Sequence, residues 1–182
     1  MILFTVGTHE DPFDRLVAAA EEVAQRTGER VVVQAGPSQV PTPHCERVDF
    51  ASPDQLRAWM AQARLVVLHG GPSTLHEVLD AGTLPAVVPR DPRFSEHVDD
   101  HQLVAARDLA VPVFTDIAEL VGWIEAGSWP DAPASARSAL ATEAFCEQLD
   151  ALLRDISSSR VSGAGRIRAI LASLSRRFPL GR

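Results

Sequence analysis

The 182-residue chain contains no lysine and no tyrosine, and all 17 of its basic residues are arginine. Without lysine there is no P-loop lysine, no Schiff-base nucleophile and no anchor for pyridoxal phosphate. Without tyrosine there is no phenolic acid of the kind short-chain dehydrogenases use. Cysteine is scarce too. Cys45 and Cys146 lie far apart with no C-x-x-C spacing, which fits free thiols in a reducing cytosol. No window approaches 18 uninterrupted apolar residues, so no membrane-spanning helix is expected. Met1-Ile2-Leu3-Phe4 has no basic residue before it and reaches Gly7 too soon for a signal peptide. The expectation is a cytoplasmic protein that lies on a membrane at most.

Positive charge is concentrated at one end. Residues 1–155 hold 11 arginines against 24 acids, a balance of −13, whereas residues 156–182 hold six arginines and no acid. An acidic body argues against nucleic acid as its partner. The basic tail points to an anionic surface or an acidic partner nearby.

Short apolar runs alternate with helical patterns, the signature of a parallel sheet flanked by helices. Strands are expected at Ile2–Val6, Arg30–Gln34, Arg47–Phe50, Leu65–Leu68, Pro85–Val88 and Pro112–Phe114. Val31-Val32-Val33 and Leu65-Val66-Val67-Leu68 do not alternate with polar residues, as strands buried on both faces should not. Asp11-Pro12 and Ser52-Pro53 each read as an N-cap followed by proline at the first helical position. Gly28 and Gly82 stand where helices should end. An Ala-rich closing helix is expected over 134–154, completing a domain of residues 1–155. Ser157–Gly165 is rich in Ser and Gly, so 156–165 reads as a flexible linker. Residues 166–182 then form a basic amphipathic tail, with Ile167, Ile170, Leu171, Leu174 and Phe178 at helical spacing.

The most informative stretch is His69-Gly70-Gly71-Pro72-Ser73-Thr74-Leu75-His76-Glu77, which follows a buried strand and opens a helix. Two glycines let a ligand approach the backbone, and the helix N-terminus faces it with amide donors and a positive dipole end. Ser73 and Thr74 add hydroxyls, and His69 adds a ring donor. Glu77, one turn in, suits the vicinal hydroxyls of a ribose. Two glycines alone would read as an ordinary strand-to-helix turn. The histidine before them and the glutamate after them favour a nucleotide.

Glu96-His97-Val98-Asp99-Asp100-His101-Gln102 is a second polar cluster, suited to sugar hydroxyls in a crevice at the carboxyl ends of the strands. His97 and His101, i and i+4 on one helix face, also admit a metal reading, but no third ligand stands at a familiar spacing. Gly7-Thr8-His9-Glu10 reads either as the rim of the same crevice or as a polar turn into the Asp11 cap.

Taken in succession, V-G-T-H-E-D-P-F-D-R-L (6–16), Q-A-G (34–36), H-G-G-P-S-T-L-H-E (69–77), V-P-R (88–90) and E-H-V-D-D-H-Q (96–102) resemble glycosyltransferase family 28. More closely, they resemble its small catalytic subunits, which correspond to the C-terminal half of a GT-B enzyme. Among these are the donor-binding subunit of the dolichol-linked N-acetylglucosaminyltransferase and its bacterial exopolysaccharide counterparts. The resemblance spans roughly residues 1–125 and does not extend to 134–182.

It implies a Rossmann-like α/β half-enzyme, a UDP-sugar donor, inversion at the anomeric carbon and no metal or other cofactor. Carried over by position, His69 and Gly70, Gly71, Ser73 and Thr74 bind the diphosphate, and Glu77 holds the ribose. His101 and Gln102 contact the donor sugar, and Thr8 and His9 line the phosphate side. Phe50 falls where relatives place uracil contacts, though an aromatic ending a strand also reads as core. His9 is a candidate general base, as is a residue on a partner. Two-domain relatives take the acceptor from an N-terminal half that this chain lacks. The resemblance therefore implies a separate membrane-anchored acceptor subunit and a lipid-linked acceptor. Other readings are a non-catalytic UDP-sugar-binding regulator, a nucleotide-sugar epimerase and a metal hydrolase built on His97 and His101.

Overall fold

The computed structural model describes residues 1–96 and 111–130, all within one compact unit, Met1–Ser135. The elements run β1 (Ile2–Thr5), α1 (Asp14–Thr27), β2 (Val31–Gln34), β3 (Glu46–Val48), α2 (Pro53–Gln62), β4 (Leu65–Leu68), α3 (Pro72–Asp80) and β5 (Leu84–Val87). A 3₁₀ turn at Pro92–Phe94 and α4 (Ile117–Ala126) follow. The expectations for His97, His101, Gln102 and Cys146 lie outside the described residues. So do those for the closing helix, the linker and the tail.

The five strands form one parallel sheet in the order β3-β2-β1-β4-β5. The chain starts in the middle, winds outward to β3, then returns past β1 to build β4 and β5. The order therefore reverses between β1 and β4, and a crevice opens there at the carboxyl ends of the strands.

Both faces of the sheet are covered, which is why its central strands lack alternation. On one face Ile2, Phe4, Val31, Val33, Leu65 and Val67 pack with Leu16, Ala20 and Val23 of α1 and Leu120 and Ile124 of α4. On the other, Leu3, Val32, Val66 and Leu68 pack with Met60 of α2 and with Leu75 and Val78 of α3. Every residue of β1, β2, β4 and β5 is buried.

Local signals hold in part. The Ser52 hydroxyl accepts from the Gln55 amide at 3.2 Å, with Pro53 opening α2. Gly28 caps α1 in the left-handed conformation, φ 64°. The Asp11 cap is not formed. The α1 helix begins at Asp14, because the Asp11 amide turns to His9 Nδ1 and the Phe13 amide donates to Ser38 Oγ at 2.9 Å. Strand β3 stops at Val48, leaving Phe50 outside it. The Pro112–Phe114 segment contributes one bridge, Val113 to Val87, rather than a full strand.

Candidate functional site

The cleft at the crossover is lined by Thr5 at the end of β1, Gly7 and Thr8 just after it, and Gln34 at the end of β2. Phe50 and Ala51 line it between β3 and α2, with Leu56 in the first turn of α2, and His69 lines it after β4, with Thr74 in the first turn of α3. Its volume is about 130 Å³. The fold thus brings four expected residues, Thr8, Phe50, His69 and Thr74, to one cleft.

The glycines of the two turns have a specific task. A Cβ added to Gly7 would lie 2.6 Å from His69 Cε1, and one added to Gly71 would collide with His69 Nε2. The imidazole is therefore clasped between two glycine backbones. Gly7 also has φ 78°, a conformation that side chains rarely adopt. A Cβ on Gly70 (φ 85°) would meet Val87 Cγ1 at 2.9 Å. The Gly-Gly pair thus serves ring seating and strand packing as well as any ligand's access to backbone.

Helix α3 opens with Gly71 as N-cap and Pro72 in its first turn, and no side chain caps it. Ser73 is exposed and Thr74 half-buried beside the cleft. Glu77 lies one turn further along α3, half-buried, and lines a neighbouring depression with Arg57, Asp80 and Ala81. It is not among the residues lining the His69 cleft.

His9 stands next to Thr8 at the rim. Its Nδ1 accepts the Asp11 backbone N–H at 3.1 Å and lies 3.5 Å from the Asp11 carboxylate. Phe50, read from sequence as either core or rim, is 61% exposed. With Ala51 and Leu56 it gives the far end of the cleft an apolar lip.

Glu96 departs from its expected place among the sugar contacts. It is buried, and its carboxylate is bound by Arg15 through Nε (2.7 Å) and Nη2 (2.9 Å) and by the Asp91 amide (3.0 Å). A carboxylate so engaged fixes the loop after β5 instead of meeting a ligand. Arg90, fully buried, completes the tie: it donates to the carbonyls of Val6, Asp11, Pro12 and Glu96 and lies 4.8 Å over the Phe13 ring. Burial pushes the pKa of its guanidinium down, opposed by Glu96 and Asp11, and it remains a cation at neutral pH. Among the described residues no group of three or more His, Cys, Asp or Glu could hold a metal ion. None of the helices described is long and apolar enough to cross a membrane.

Thr5 and Leu56 line the cleft without having been singled out in the sequence, and Gln34 was named there only as the end of a strand and the start of Q-A-G, with no role in the site. The signal for Gln34 was a lone polar residue closing an all-valine strand, a costly position unless its amide is fully bonded.

A parallel sheet covered by helices on both faces, with a cleft where the strand order reverses and a histidine-glycine turn on its wall, defines a Rossmann-like α/β domain. The model of the glycosyltransferase family 28 C-terminal domain matches residues 1–126, and the chain belongs to that family. Among solved structures it is similar to CalG4, the calicheamicin glycosyltransferase, at 17% identity and a TM-score of 0.50, over 79% of this chain and 41% of that one. It is also similar to the glycotransferase of kitacinnamycin, at 21% identity and a TM-score of 0.43, over 64% of this chain and 30% of that one. SnogD from Streptomyces nogalater matches at 19% identity and a TM-score of 0.33, over 79% and 43% of the two chains. The chain spans less than half the length of each of these structures. Comparison with curated proteins gave no match. The likeness to CalG4 is one of fold, the Rossmann-like α/β fold of a GT-B half.

Proposed function

We propose that the chain is the donor-binding subunit of a glycosyltransferase that takes a UDP-sugar. The observation that carries this reading is the His69 imidazole, clasped by Gly7 and Gly71 beside the uncapped start of α3. An anion seated there meets a fixed ring and the positive end of a helix dipole. That pair supplies, without a divalent cation, the electrostatic stabilisation a leaving diphosphate requires. Thr8, Ser73 and Thr74 contribute hydroxyls. The apolar lip at Phe50 suits the face of a base, at the end of the cleft away from the helix. Glu77, i+3 from Thr74, is on the same side of α3 and serves the ribose of a nucleotide that extends beyond the cleft.

The acceptor hydroxyl attacks the anomeric carbon as the bond to the diphosphate breaks, giving inversion. Removal of the acceptor's proton falls to His9 or to a residue of the partner chain. That partner is a membrane-anchored subunit holding a lipid-linked acceptor. His101 and Gln102 contact the donor sugar, and the arginine-rich tail 166–182 docks on the partner or the membrane surface, keeping the subunit peripheral to it.

Calorimetric titration with UDP tests the site. His69→Ala and Glu77→Ala should each weaken binding by about 1.5–3 kcal/mol, the worth of a hydrogen bond to a charged group. Unchanged affinity in both variants would refute the assignment.

A further inference from the structure

At the floor of the cleft one buried side-chain amide joins three strand ends. The Thr5 hydroxyl donates to Gln34 Oε1 at 2.6 Å and accepts the Gly7 amide at 3.4 Å. Gln34 Nε2 donates to the Gly7 carbonyl at 2.9 Å and to the Asp49 carbonyl at 3.1 Å. Both amide protons and the amide oxygen are engaged, and Gln34 is 3% exposed. The amide has one workable orientation, because reversing it would set its oxygen against two carbonyl oxygens. Gly7 is held at both its N–H and its carbonyl, and Gly7 is the wall on which the His69 ring rests. Asp49 directly precedes Phe50, the opposite lip.

We infer that Gln34 is a positioning residue: its amide fixes the spacing between the imidazole end and the aromatic end, and so sets the length of ligand that spans the cleft. The inference rests on the nucleotide reading only for what is bound. The amide's two donors are what the site demands. An ionised carboxylate in the same place accepts but cannot donate, and it would face the Gly7 and Asp49 carbonyls. A protonated carboxyl regains one donor.

The Gln34→Glu variant of the full chain therefore turns a pH-indifferent tie into a titratable one. UDP affinity is measured calorimetrically from pH 5.5 to 8.5, as the ratio of variant to wild type at each pH, which cancels titration of the ligand and of shared histidines. The ratio should fall by about tenfold or more as the pH rises, the loss of one or more buried hydrogen bonds. NMR of the free protein should show the His69 and Phe50 rings both shifting as the introduced carboxyl titrates. A ratio that stays flat with pH, or a response at only one ring, overturns the proposal.

Thr5→Val guards against a variant that fails to fold. It should weaken UDP binding by about fivefold with no added pH dependence, and it should shift both rings. Unmoved rings in Thr5→Val would equally overturn it. If the wild-type protein binds no UDP, the nucleotide reading fails, and the ring shifts still decide the role of Gln34.

Discussion

Three glycines separate backbone strain from steric conflict. Gly28 has φ 64° with nothing within 4 Å of an added Cβ, so Gly28→Ala carries backbone strain alone, about 1–2 kcal/mol. Gly71 has φ −60°, which alanine adopts readily, yet its Cβ would strike His69 Nε2. Gly71→Ala therefore carries the clash alone, in the ~1–3 kcal/mol range of overpacking. Gly7 combines φ 78° with a Cβ 2.6 Å from His69 Cε1, and Gly7→Ala should cost about the sum, ~2–5 kcal/mol. Urea denaturation of each variant, alone and in a His69→Ala background, gives the decomposition. Removing the ring should abolish most of the Gly71→Ala penalty, recover only the steric part at Gly7 and leave Gly28→Ala unchanged. UDP affinity should fall in Gly7→Ala and Gly71→Ala but not in Gly28→Ala. A Gly71→Ala penalty as large without the ring as with it would refute the clasp.

Two further outcomes are expected. Glu96→Ala strands the partly buried Arg15 and frees the Asp91 amide, so it should cost about 3–5 kcal/mol by denaturant midpoint, and a change below about 0.5 kcal/mol would show the tie to be idle. The Cys45 thiol is pushed up to about 12, by burial first and then by the Glu21 carboxylate, against about 8.5 for an unfolded chain. The folded state holds the thiol proton more tightly, so this contribution is complete below about pH 8.5 and is lost as the pH climbs towards 12. Between pH 8 and 10.5 the wild type should lose stability relative to Cys45→Ala, and parallel decline of the two would contradict that ordering.

What could be read in the sequence follows the range of the interactions involved. The valine runs of β2 and β4 announced a sheet covered on both faces, since both periods of side chains are buried there. Ser52-Pro53 and Gly28 were legible because each acts within four residues of itself. Asp11 misled in part because one of its competitors is distant: Ser38 takes the amide of Phe13, 25 residues before it. Glu96 was misplaced for the same reason, its partner Arg15 lying 81 residues earlier. The turn at His69–Gly71 was readable as a motif. That the imidazole of this turn packs against two glycine backbones was not, because the second, Gly7, arrives from the loop after β1. Gln34 was legible as part of Q-A-G but not as a tie, because its amide finds its partners at the end of β1, just after it and after β3, a juxtaposition that exists only once the strand order is known.

The clasp around His69 also bears on thermodynamics. A histidine at an open surface samples several rotamers and loses that freedom when it captures an anion, at a cost of about 0.5–1.5 kcal/mol for an immobilised side chain. Here the imidazole already lies against the Gly7 and Gly71 backbones in the folded protein, so close that a Cβ on either glycine would strike it. Recognition at this end of the cleft should accordingly carry a small conformational penalty, with rigidity built in by residues that have no side chains at all.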